Sequence, residues 1–402
     1  MQNCRLFKTE SVATLADFGP QPVCNRFLAH PQDSELLHPM ILGQCQNSGL
    51  VQLCDPIAPG ELVPLFDWIT YNEPEDHLDD LVDTITALPG ITKDSLFCGL
   101  TFKDNSTLHR LQQQGYLRCW PVDRREELGI TNPGAGAETI QARFTIEKAR
   151  HMVSQRGEKA DVIIIRHILE HAFDTWGFLQ AAKEMVSPDG YVVFEVPDCS
   201  RALDRFDYST LWEEHLLYFT PETFKHSFAA GGLSLVSQKS YPYIFEDCLV
   251  GIAKVEHLGG AQLFPDRRVL DLELVRATAF AAQLPTERKK IDKYLSEARQ
   301  ALGKIALFGA GHLSCASTNI LQIGHHIDFV VDDNPKKAGL LMPGSRLPIK
   351  PSDHLLKDNI KLCLLGLNPF SEAKVIANNQ RFLDGGGIFA SIFPASTRWF
   401  LQ

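Results

Sequence analysis

The chain of 402 residues lacks the long apolar runs of membrane proteins and the closely spaced cysteine pairs of redox centres. No uninterrupted apolar stretch approaches the roughly 18 residues that span a bilayer. The opening residues also have no apolar core of a secretory signal. We therefore expect a cytoplasmic protein with no membrane partner. The ten cysteines include no Cys-x-x-Cys pair, so most should be buried, reduced thiols.

The sequence also lacks an excess of positive charge. Lys and Arg total 39 against 49 for Asp and Glu, which gives a net charge of -10. Such a chain repels nucleic acid and anionic lipid, so we expect neither as a partner and a small molecule as the ligand. Apolar residues make up 44% of a chain that is long enough for two or three domains.

Hydrophobic patterning divides the chain into regions. Residues 1 to about 65 are short apolar pieces interrupted by Gly and Pro, which predicts a loop-rich unit with little regular structure. Apolar runs alternating with helical stretches then predict an α/β sheet from about 75 to 255. A helical connector broken at Pro285 is predicted over 266–303, followed by a second α/β unit. The strands expected in the two sheets are 95–101, 161–165, 191–196, 304–308, 326–331, 360–365 and 387–391.

Ligands of open α/β sheets bind at the carboxyl ends of the strands. The first such segment is Arg166-His-Ile-Leu-Glu-His171, which follows the strand expected at 161–165. Pro197-Asp198 follows the next strand, and Trp212-Glu-Glu-His-Leu-Leu-Tyr-Phe219 comes after a further helical stretch. These segments bring His, Glu, Asp and Arg side chains to one edge.

These segments resemble those of the sugar C-methyltransferases that act on nucleotide-linked keto sugars in deoxysugar pathways. The class I methyltransferase domain of this family is similar to two of the segments, Glu195-Val-Pro-Asp198 and Glu214-His-Leu-Leu-Tyr-Phe219. The family's zinc-binding module is similar to Leu15-Ala-Asp-Phe-Gly-Pro-Gln-Pro22. The family's carboxyl-terminal Rossmann-like domain resembles this chain at Phe308-Gly-Ala-Gly311 and Val331-Asp-Asp-Asn-Pro-Lys336. The resemblance implies a zinc-binding-like module at 1–70, a methyltransferase-like doubly wound domain at 71–256, a connector at 257–303 and a Rossmann-like α/β domain at 304–402.

The resemblance also implies a reaction. A base removes the proton next to the ketone, and the resulting enolate takes the methyl group of S-adenosylmethionine (SAM) at carbon. The family's proposed base falls on His215, whose imidazole titrates near neutrality, with Glu214 as support and His171 as the next candidate. The implied cofactor-binding residues are Gly99, Asp104, Asn105, Asp123 and His167. The implied substrate-binding residues are Glu170, Asp198, Trp212, Gly309, Gly311, Asp332, Asn334 and Lys336.

Two motifs of the family are altered. Cys4 and Cys45 have lost their partners to Phe7 and Ser48, and two thiolates do not close a tetrahedral zinc site, so we expect no bound metal. In the cofactor loop, Gly99 stands where the family has an acidic residue, and Lys103-Asp-Asn105 replaces Asn-Asp-Gly. The turn survives if Asn105 adopts a positive φ.

The altered loop leaves three functions open. The first is the SAM-dependent C-methyltransferase of a nucleotide-linked keto sugar. The second is a relative that has lost catalysis and serves as a binding or assembly protein. The third is an epimerase-like nucleotide-sugar enzyme with no methyl donor. For His215, a hydrogen-bonded structural role among Trp212, Tyr218 and Phe219 is the alternative to catalysis.

Overall fold

The computed structural model describes residues 2–66, 73–255 and 264–401. Among them, no helix combines the length and apolar composition needed to cross a bilayer. The strands of these residues are β1 Gln2–Asn3, β2 Glu10–Pro22, β3 Leu37–Cys45, β4 Val51–Leu53, β5 Phe97–Gly99, β6 Cys119–Pro121, β7 Ala160–Arg166, β8 Val186–Asp198, β9 Leu217–Tyr218, β10 Leu233–Tyr241, β11 Asp247–Val255, β12 Ile305–Phe308, β13 Phe329–Val331, β14 Ile349–Lys350, β15 Leu362–Leu365 and β16 Ile388–Ser391. Their helices are α1 Leu78–Thr86, α2 Asn105–Gln113, α3 Ala137–Arg143, α4 Ile146–Arg156, α5 Thr175–Met185, α6 Ser200–Arg205, α7 Pro221–Ala230, α8 Arg267–Leu302, α9 His312–Ile320, α10 His354–Lys357, α11 Pro369–Asn378 and α12 Gln380–Asp384.

The amino-terminal region is more regular than the sequence predicts. It forms an antiparallel sheet in the order β1-β2-β3-β4-β9, built around the long β2–β3 pair. The prediction of little regular structure was wrong because the register of β2 shifts between Asp17 and Pro20, which accommodates the Gly and Pro residues. The last strand of this sheet, β9, follows His215 in the chain, so the region shares its sheet with the candidate site.

The central sheet has the order β10-β11-β8-β7-β5-β6. Strands β6, β5, β7 and β8 are parallel, and β11 runs antiparallel beside β8. This is the doubly wound arrangement of class I methyltransferases, so the predicted fold class is confirmed. Residues 187–190 lie in the first part of β8, where a Cβ on Gly190 would lie 2.6 Å from the carbonyl oxygen of Asp161.

A buried carboxylate joins the two central strands where they end. Glu195 of β8 is the register partner of Arg166 of β7. Its oxygens accept hydrogen bonds from Arg166 Nε at 2.8 Å and Nη2 at 3.1 Å. His167 and His77 approach the same carboxylate at 2.8 Å and 3.0 Å. Burial alone would raise the pKa of Glu195, but Arg166 and the two imidazoles hold it well below its usual range.

The carboxyl-terminal region is a second, fully parallel sheet in the order β14-β13-β12-β15-β16. The long helix α8 precedes it. The predicted break at Pro285 was wrong, because α8 runs without interruption through this residue for 36 residues. Burial of Phe280, Leu284 and Ile291 on both sides of the proline offsets the lost hydrogen bond. The predicted start of the connector, residue 257, lies outside the described residues.

We predict that Glu195→Gln lowers the free energy of unfolding by about 3–5 kcal/mol, because the buried Arg166 guanidinium loses its counter-ion. The matched control is Glu158→Gln, which removes the carboxylate of a half-exposed ion pair with Arg118 and should cost less than about 1 kcal/mol. Urea unfolding at pH 7 measures both variants. Equal losses would show that the Glu195 cluster does not hold the strand ends together.

The difference in the free energy of unfolding between wild type and Glu195→Gln should depend on pH. The pKa of Glu195 is lowered in the folded protein, so its contribution is complete above the unfolded value of 4.5 and declines as the pH falls below it. Repeating the unfolding measurement at lower pH should therefore narrow the difference.

Candidate active site

The segment that follows β7 turns sharply and leads to the candidate site. His167 has a φ of 51°, and its backbone N–H donates to the carbonyl of Glu195 at 2.8 Å. Burial would lower the pKa of His167, but Glu73, Glu170 and Glu195 hold it well above its usual value. The structure thus places His167, predicted to contact the cofactor, on the Glu195 carboxylate. The next residues, Glu170 and His171, form a buried 3-10 turn.

His171 lies between two carboxylates and beside His215. Its Nδ1 is 2.9 Å from Glu138 Oε1, and its Nε2 is 3.9 Å from Glu170 Oε1. The rings of His171 and His215 are 4.7 Å apart and nearly perpendicular. Sequence reasoning missed Glu138, which comes from the short helix α3 and follows no strand end.

His215 is the partly exposed member of this group, whereas His171, Glu138, Glu170 and Glu214 are buried. Burial, with the nearby rings of His171 and His312, holds the pKa of His215 well below its usual value, so the imidazole is neutral at pH 7. A neutral imidazole can accept a proton.

His312 connects the carboxyl-terminal region to the neighbourhood of His215. It is the first residue of α9, directly after Gly311, and its ring stacks on Trp212 at 4.4 Å with the planes 20° apart. Trp212 in turn lies 4.9 Å from the ring of His215. Burial lowers the pKa of His312 to about 4. Sequence reasoning missed His312, although its place after a strand-end glycine was a usable signal.

Glu213 and Glu214 bind the amino-terminal region rather than the ring of His215. The backbone N–H of Cys24 donates to Glu213 Oε1 at 2.6 Å, and Asn25 Nδ2 donates to Glu214 Oε1 at 3.0 Å. Burial and the neighbouring carboxylates, Glu138 first, raise the pKa of Glu214 well above its usual value. Glu214, predicted to support His215, therefore faces Asn25 and Glu138.

The altered loop after β5 is filled by its own side chains. Lys103 Nζ donates to Glu73 Oε1 at 2.6 Å. Asp104 is fully buried and accepts from the backbone N–H groups of Thr101 and Arg166 at 2.7 Å and 2.9 Å. A Cβ on Gly99 would lie 2.9 Å from the Asp104 side chain, so the acidic residue of the family does not fit there. Asn105 begins α2 with a φ of -59°, not the positive value considered above.

Asp123 stands at the end of β6, where a ribose carboxylate is expected. It is exposed, and its Oδ1 accepts hydrogen bonds from the backbone N–H groups of Arg125 and Glu126 at 2.7 Å and 2.8 Å. Those two hydrogen bonds lower the pKa of Asp123. Asp123 therefore caps a turn and presents a charged carboxylate to solvent.

The predicted substrate residues of the carboxyl-terminal sheet gather at the ends of β12 and β13. Gly309 has a φ of 100°, and no atom would crowd a Cβ on Gly311 within 4 Å. Asp332 accepts from Ala310 N at 2.8 Å and from Asn334 N at 2.8 Å. Lys336 is exposed on the 3-10 turn that the Asn334 side chain caps.

Asp198 is buried, and its Oδ1 accepts hydrogen bonds from the backbone N–H and the hydroxyl of Ser200 at the start of α6. It lines a surface cleft with Arg201 and Arg205.

Cys4 and Cys45, the two cysteines that match the family's zinc ligands, are fully buried. Ser11 Oγ lies 3.2 Å from the Cys45 thiol. Hydrogen bonding between the two thiols, with burial, raises the pKa of Cys4, and the same contact lowers that of Cys45. Among the described residues, the groups that bring three metal-ligating side chains together lie elsewhere.

Three family models match consecutive parts of the chain. A zinc-binding domain model matches residues 4–62, a methyltransferase domain model matches 104–238, and a C-methyltransferase C-terminal domain model matches 270–394. The last match includes α8 as well as the parallel sheet. The altered Cys4 and Cys45 thus lie in a segment that retains the overall pattern of the zinc-binding domain.

Relatives agree with these matches. The C-methyltransferase NovU of Streptomyces niveus is 26% identical, and the alignment covers 98% of this chain and 96% of NovU. The ubiquinone biosynthesis O-methyltransferase of Brucella anthropi is 28% identical over 32% of this chain and 60% of its own length. Among solved structures, a Burkholderia thailandensis 1,6-didemethyltoxoflavin-N1-methyltransferase covers 45% of this chain and 78% of its own, with 13% identity and a TM-score of 0.30.

The three models occur in the order amino-terminal module, methyltransferase domain and C-methyltransferase carboxyl-terminal domain. NovU aligns over nearly the whole of the same chain. These findings support a SAM-dependent methyltransferase with the domain order of the C-methyltransferases.

Proposed function

We propose that the protein methylates a carbon atom next to the ketone of a nucleotide-linked keto sugar, with His215 as the base. One observation carries the proposal: His215 is a partly exposed imidazole at the rim of a buried group of histidines and carboxylates. A base must reach both its substrate and a fixed set of neighbours that orient it. His215 meets both conditions, whereas His171 is buried.

The position of His215 is supported from two sides. The backbone N–H of Leu216 donates to the carbonyl of Glu170 at 2.8 Å, and the N–H of His215 donates to the carbonyl of Trp212 at 3.0 Å. The main chain around the imidazole is thereby held to the turn that follows β7. Such fixed geometry favours proton transfer, because little reorganisation is needed when the substrate binds.

Of the residues where SAM is expected to lie, some are suited to bind it and others occupy its place. At the ribose end, Asp123 offers an exposed, charged carboxylate at the end of β6, where it would accept hydrogen bonds from ribose hydroxyls. At the methionine end, Lys103 and Glu73 fill the edge of the sheet with an ion pair. When bound, the cofactor supplies the electrophilic methyl group, and the residues of the chain remove the proton.

The carboxyl-terminal sheet supports a nucleotide-linked substrate. Gly309 and Gly311 carry no side chains in the turn before α9, which suits the approach of a phosphate. His312 connects this edge to Trp212 and thus to the neighbourhood of His215. A substrate with a nucleotide at one end and a keto sugar at the other would extend between the two sheets.

A second candidate is a keto-sugar enzyme that removes the same proton but uses no methyl donor. The Lys103–Glu73 ion pair favours it, because these two side chains occupy the edge of the sheet where the methionine part of SAM would lie. The ammonium would instead stabilise a negatively charged enolate.

The first prediction concerns the base. His215→Ala should lower methyl transfer by about 10²- to 10⁴-fold while both ligands still bind. In deuterated water, wild type should exchange the proton next to the ketone of a nucleotide-linked 4-keto sugar, as followed by NMR, and His215→Ala should not. A variant that melts early but turns over at the wild-type rate would make His215 structural and direct attention to His171. Turnover by neither protein with any keto sugar would favour a binding protein.

The second prediction concerns the ribose carboxylate. Asp123→Ala should weaken SAM binding by about 1.5–3 kcal/mol for each charge-assisted hydrogen bond lost, as measured by calorimetry. Asp123→Asn is the control for the turn, because an amide oxygen still accepts from Arg125 and Glu126 N–H. Unchanged affinity in both folded variants would place the cofactor elsewhere.

The third prediction separates the two candidate functions. Lys103→Asn, which restores the asparagine of the family, should tighten SAM binding about fivefold, because the shorter neutral side chain opens the edge of the sheet and leaves the Glu73 carboxylate to attract the sulfonium. Lys148→Asn, on the surface of α4, should leave the affinity unchanged. If SAM binds only to Lys103→Asn and not to wild type, the enzyme without a methyl donor becomes the better description.

A further inference from the structure

Three side chains with metal-ligating atoms meet where the helix α8 contacts the turn that leads into β13. Asp292 comes from α8, and His325 and His326 are consecutive residues of the 3-10 turn Gly324–His326. One ligand atom from each residue lies within 4.8 Å of the other two. The group belongs neither to the amino-terminal module nor to the candidate active site, so the proposed reaction gives it no role.

Both imidazoles direct the same ring nitrogen to a single carboxylate oxygen. His326 Nε2 lies 2.8 Å from Asp292 Oδ1, and His325 Nε2 lies 3.2 Å from the same oxygen. Nitrogen and oxygen ligands of a tetrahedral metal ion are about 3.3–3.5 Å apart, because each lies about 2.0–2.2 Å from the ion. The His325–Asp292 distance therefore nearly matches that of two ligands of one ion, and the His326–Asp292 distance would have to increase by about 0.5 Å.

Two hydrogen bonds to one oxygen are the alternative to a metal ion. This alternative requires both imidazoles to carry a proton on Nε2 and to direct the two N–H groups at Asp292 Oδ1 together. The rings of His325 and His326 are only 3.9 Å apart, so the two donors are also close to each other. A metal ion between the three atoms would take the place of both protons and use a lone pair from each ligand.

The turn that carries the two histidines is held to α8 by a separate contact. Arg299 Nη1 donates to the carbonyl of His326 at 2.5 Å and to Asp328 Oδ2 at 2.7 Å. Arg299 lies seven residues after Asp292, which is two helical turns along the same face of α8. The backbone around His326 is thus already fixed opposite Asp292, and a preorganised set of ligands loses little conformational entropy when an ion binds.

The three side chains differ in exposure in a way that suits a bound ion. The side chain of His326 is only 6% exposed, whereas those of His325 and Asp292 are 64% and 58% exposed. The buried imidazole forms the base of the group, and the other two ligands are open to solvent. An ion can therefore enter from solvent, and water can supply the fourth ligand, as it does in zinc sites with three protein ligands.

We propose that Asp292, His325 and His326 bind one divalent transition-metal ion, which joins α8 to the carboxyl-terminal sheet. Two imidazoles and one carboxylate suit Zn²⁺, Ni²⁺ or Cu²⁺, whereas Mg²⁺ and Ca²⁺ prefer oxygen ligands alone. The ion is a cross-link between two elements rather than part of the methyl-transfer site. The inference goes beyond the proposed function and does not depend on it, because binding is measured without SAM or a sugar.

The test is a titration of the chelator-treated full-length protein with Co²⁺, a coloured substitute for Zn²⁺, followed by visible absorption and calorimetry. We expect wild type to bind one equivalent with no thiolate-to-cobalt charge-transfer band, because the site contains no cysteine. His325→Ala and Asp292→Ala should each bind this equivalent at least about 100-fold more weakly, since even the loss of an outer partner of a metal site costs about 10- to 100-fold. Circular dichroism establishes that the variants are folded, which the exposure of both side chains favours.

The matched control is His354→Ala. His354 Nδ1 lies 2.9 Å from Asp358 Oδ2 on the surface of the same domain, but the third member of that group is Lys350 instead of a second imidazole. His354→Ala should bind Co²⁺ as wild type does.

Four results would each overturn the proposal. They are wild-type affinity in folded His325→Ala or Asp292→Ala, an equal loss of affinity in His354→Ala, no binding by wild type at about millimolar Co²⁺, and a thiolate band on the bound equivalent, which would assign the ion to cysteines. The cross-link has its own readout. Bound Co²⁺ should raise the melting temperature of wild type more than that of His325→Ala, because the ion stabilises only the folded state that holds it. An equal rise in the two proteins would contradict the cross-link.

Discussion

The ion pair between Arg166 and Glu195 is the constraint on which the site depends. The two residues are register partners in neighbouring parallel strands, so a slip of one residue would direct their side chains to opposite faces of the sheet. The backbone carbonyl of Glu195 also accepts a hydrogen bond from the backbone N–H of His167, where the chain turns out of β7. That turn positions the carbonyl of Glu170, which accepts a hydrogen bond from the backbone N–H of Leu216. The position of His215 thus depends on Glu195, whose carboxylate joins the strand ends and whose carbonyl fixes the turn after β7.

Much of the fold could be predicted because buried parallel strands are short and continuously apolar, as in β7 and β12. The errors came from Pro and Gly. At Pro285 the helix continues because packing on both sides outweighs one lost hydrogen bond. In the amino-terminal sheet, Pro20 sits opposite Pro39 where the register shifts, so local composition concealed a long hairpin. Amino-acid composition indicates local conformational preference, whereas the continuation of α8 and the pairing of β2 with β3 depend on contacts with residues distant in the sequence.

The candidate site was predictable where residues follow strands. His171 and His215 are neighbours, as the strand-end rule implies. Glu138 could not be found this way, because it reaches His171 from the short helix α3, which begins well after the end of β6. The orientation of Glu214 toward Asn25 was also beyond the sequence, since adjacent residues in a chain often face different partners. The role of a side chain depends on three-dimensional neighbours that spacing alone does not reveal.

The position of β9 has a consequence for how the molecule is made. Val51 of β4 pairs with Tyr218 of β9, which the ribosome adds only after the greater part of the central sheet has been synthesised. Until then β4 is an uncovered edge, and uncovered edges are sites of mispairing. The amino-terminal sheet therefore finishes folding late, although its sequence comes first. A fragment cut after residue 66 would retain that open edge permanently, so this module is poorly suited to transplantation into another protein.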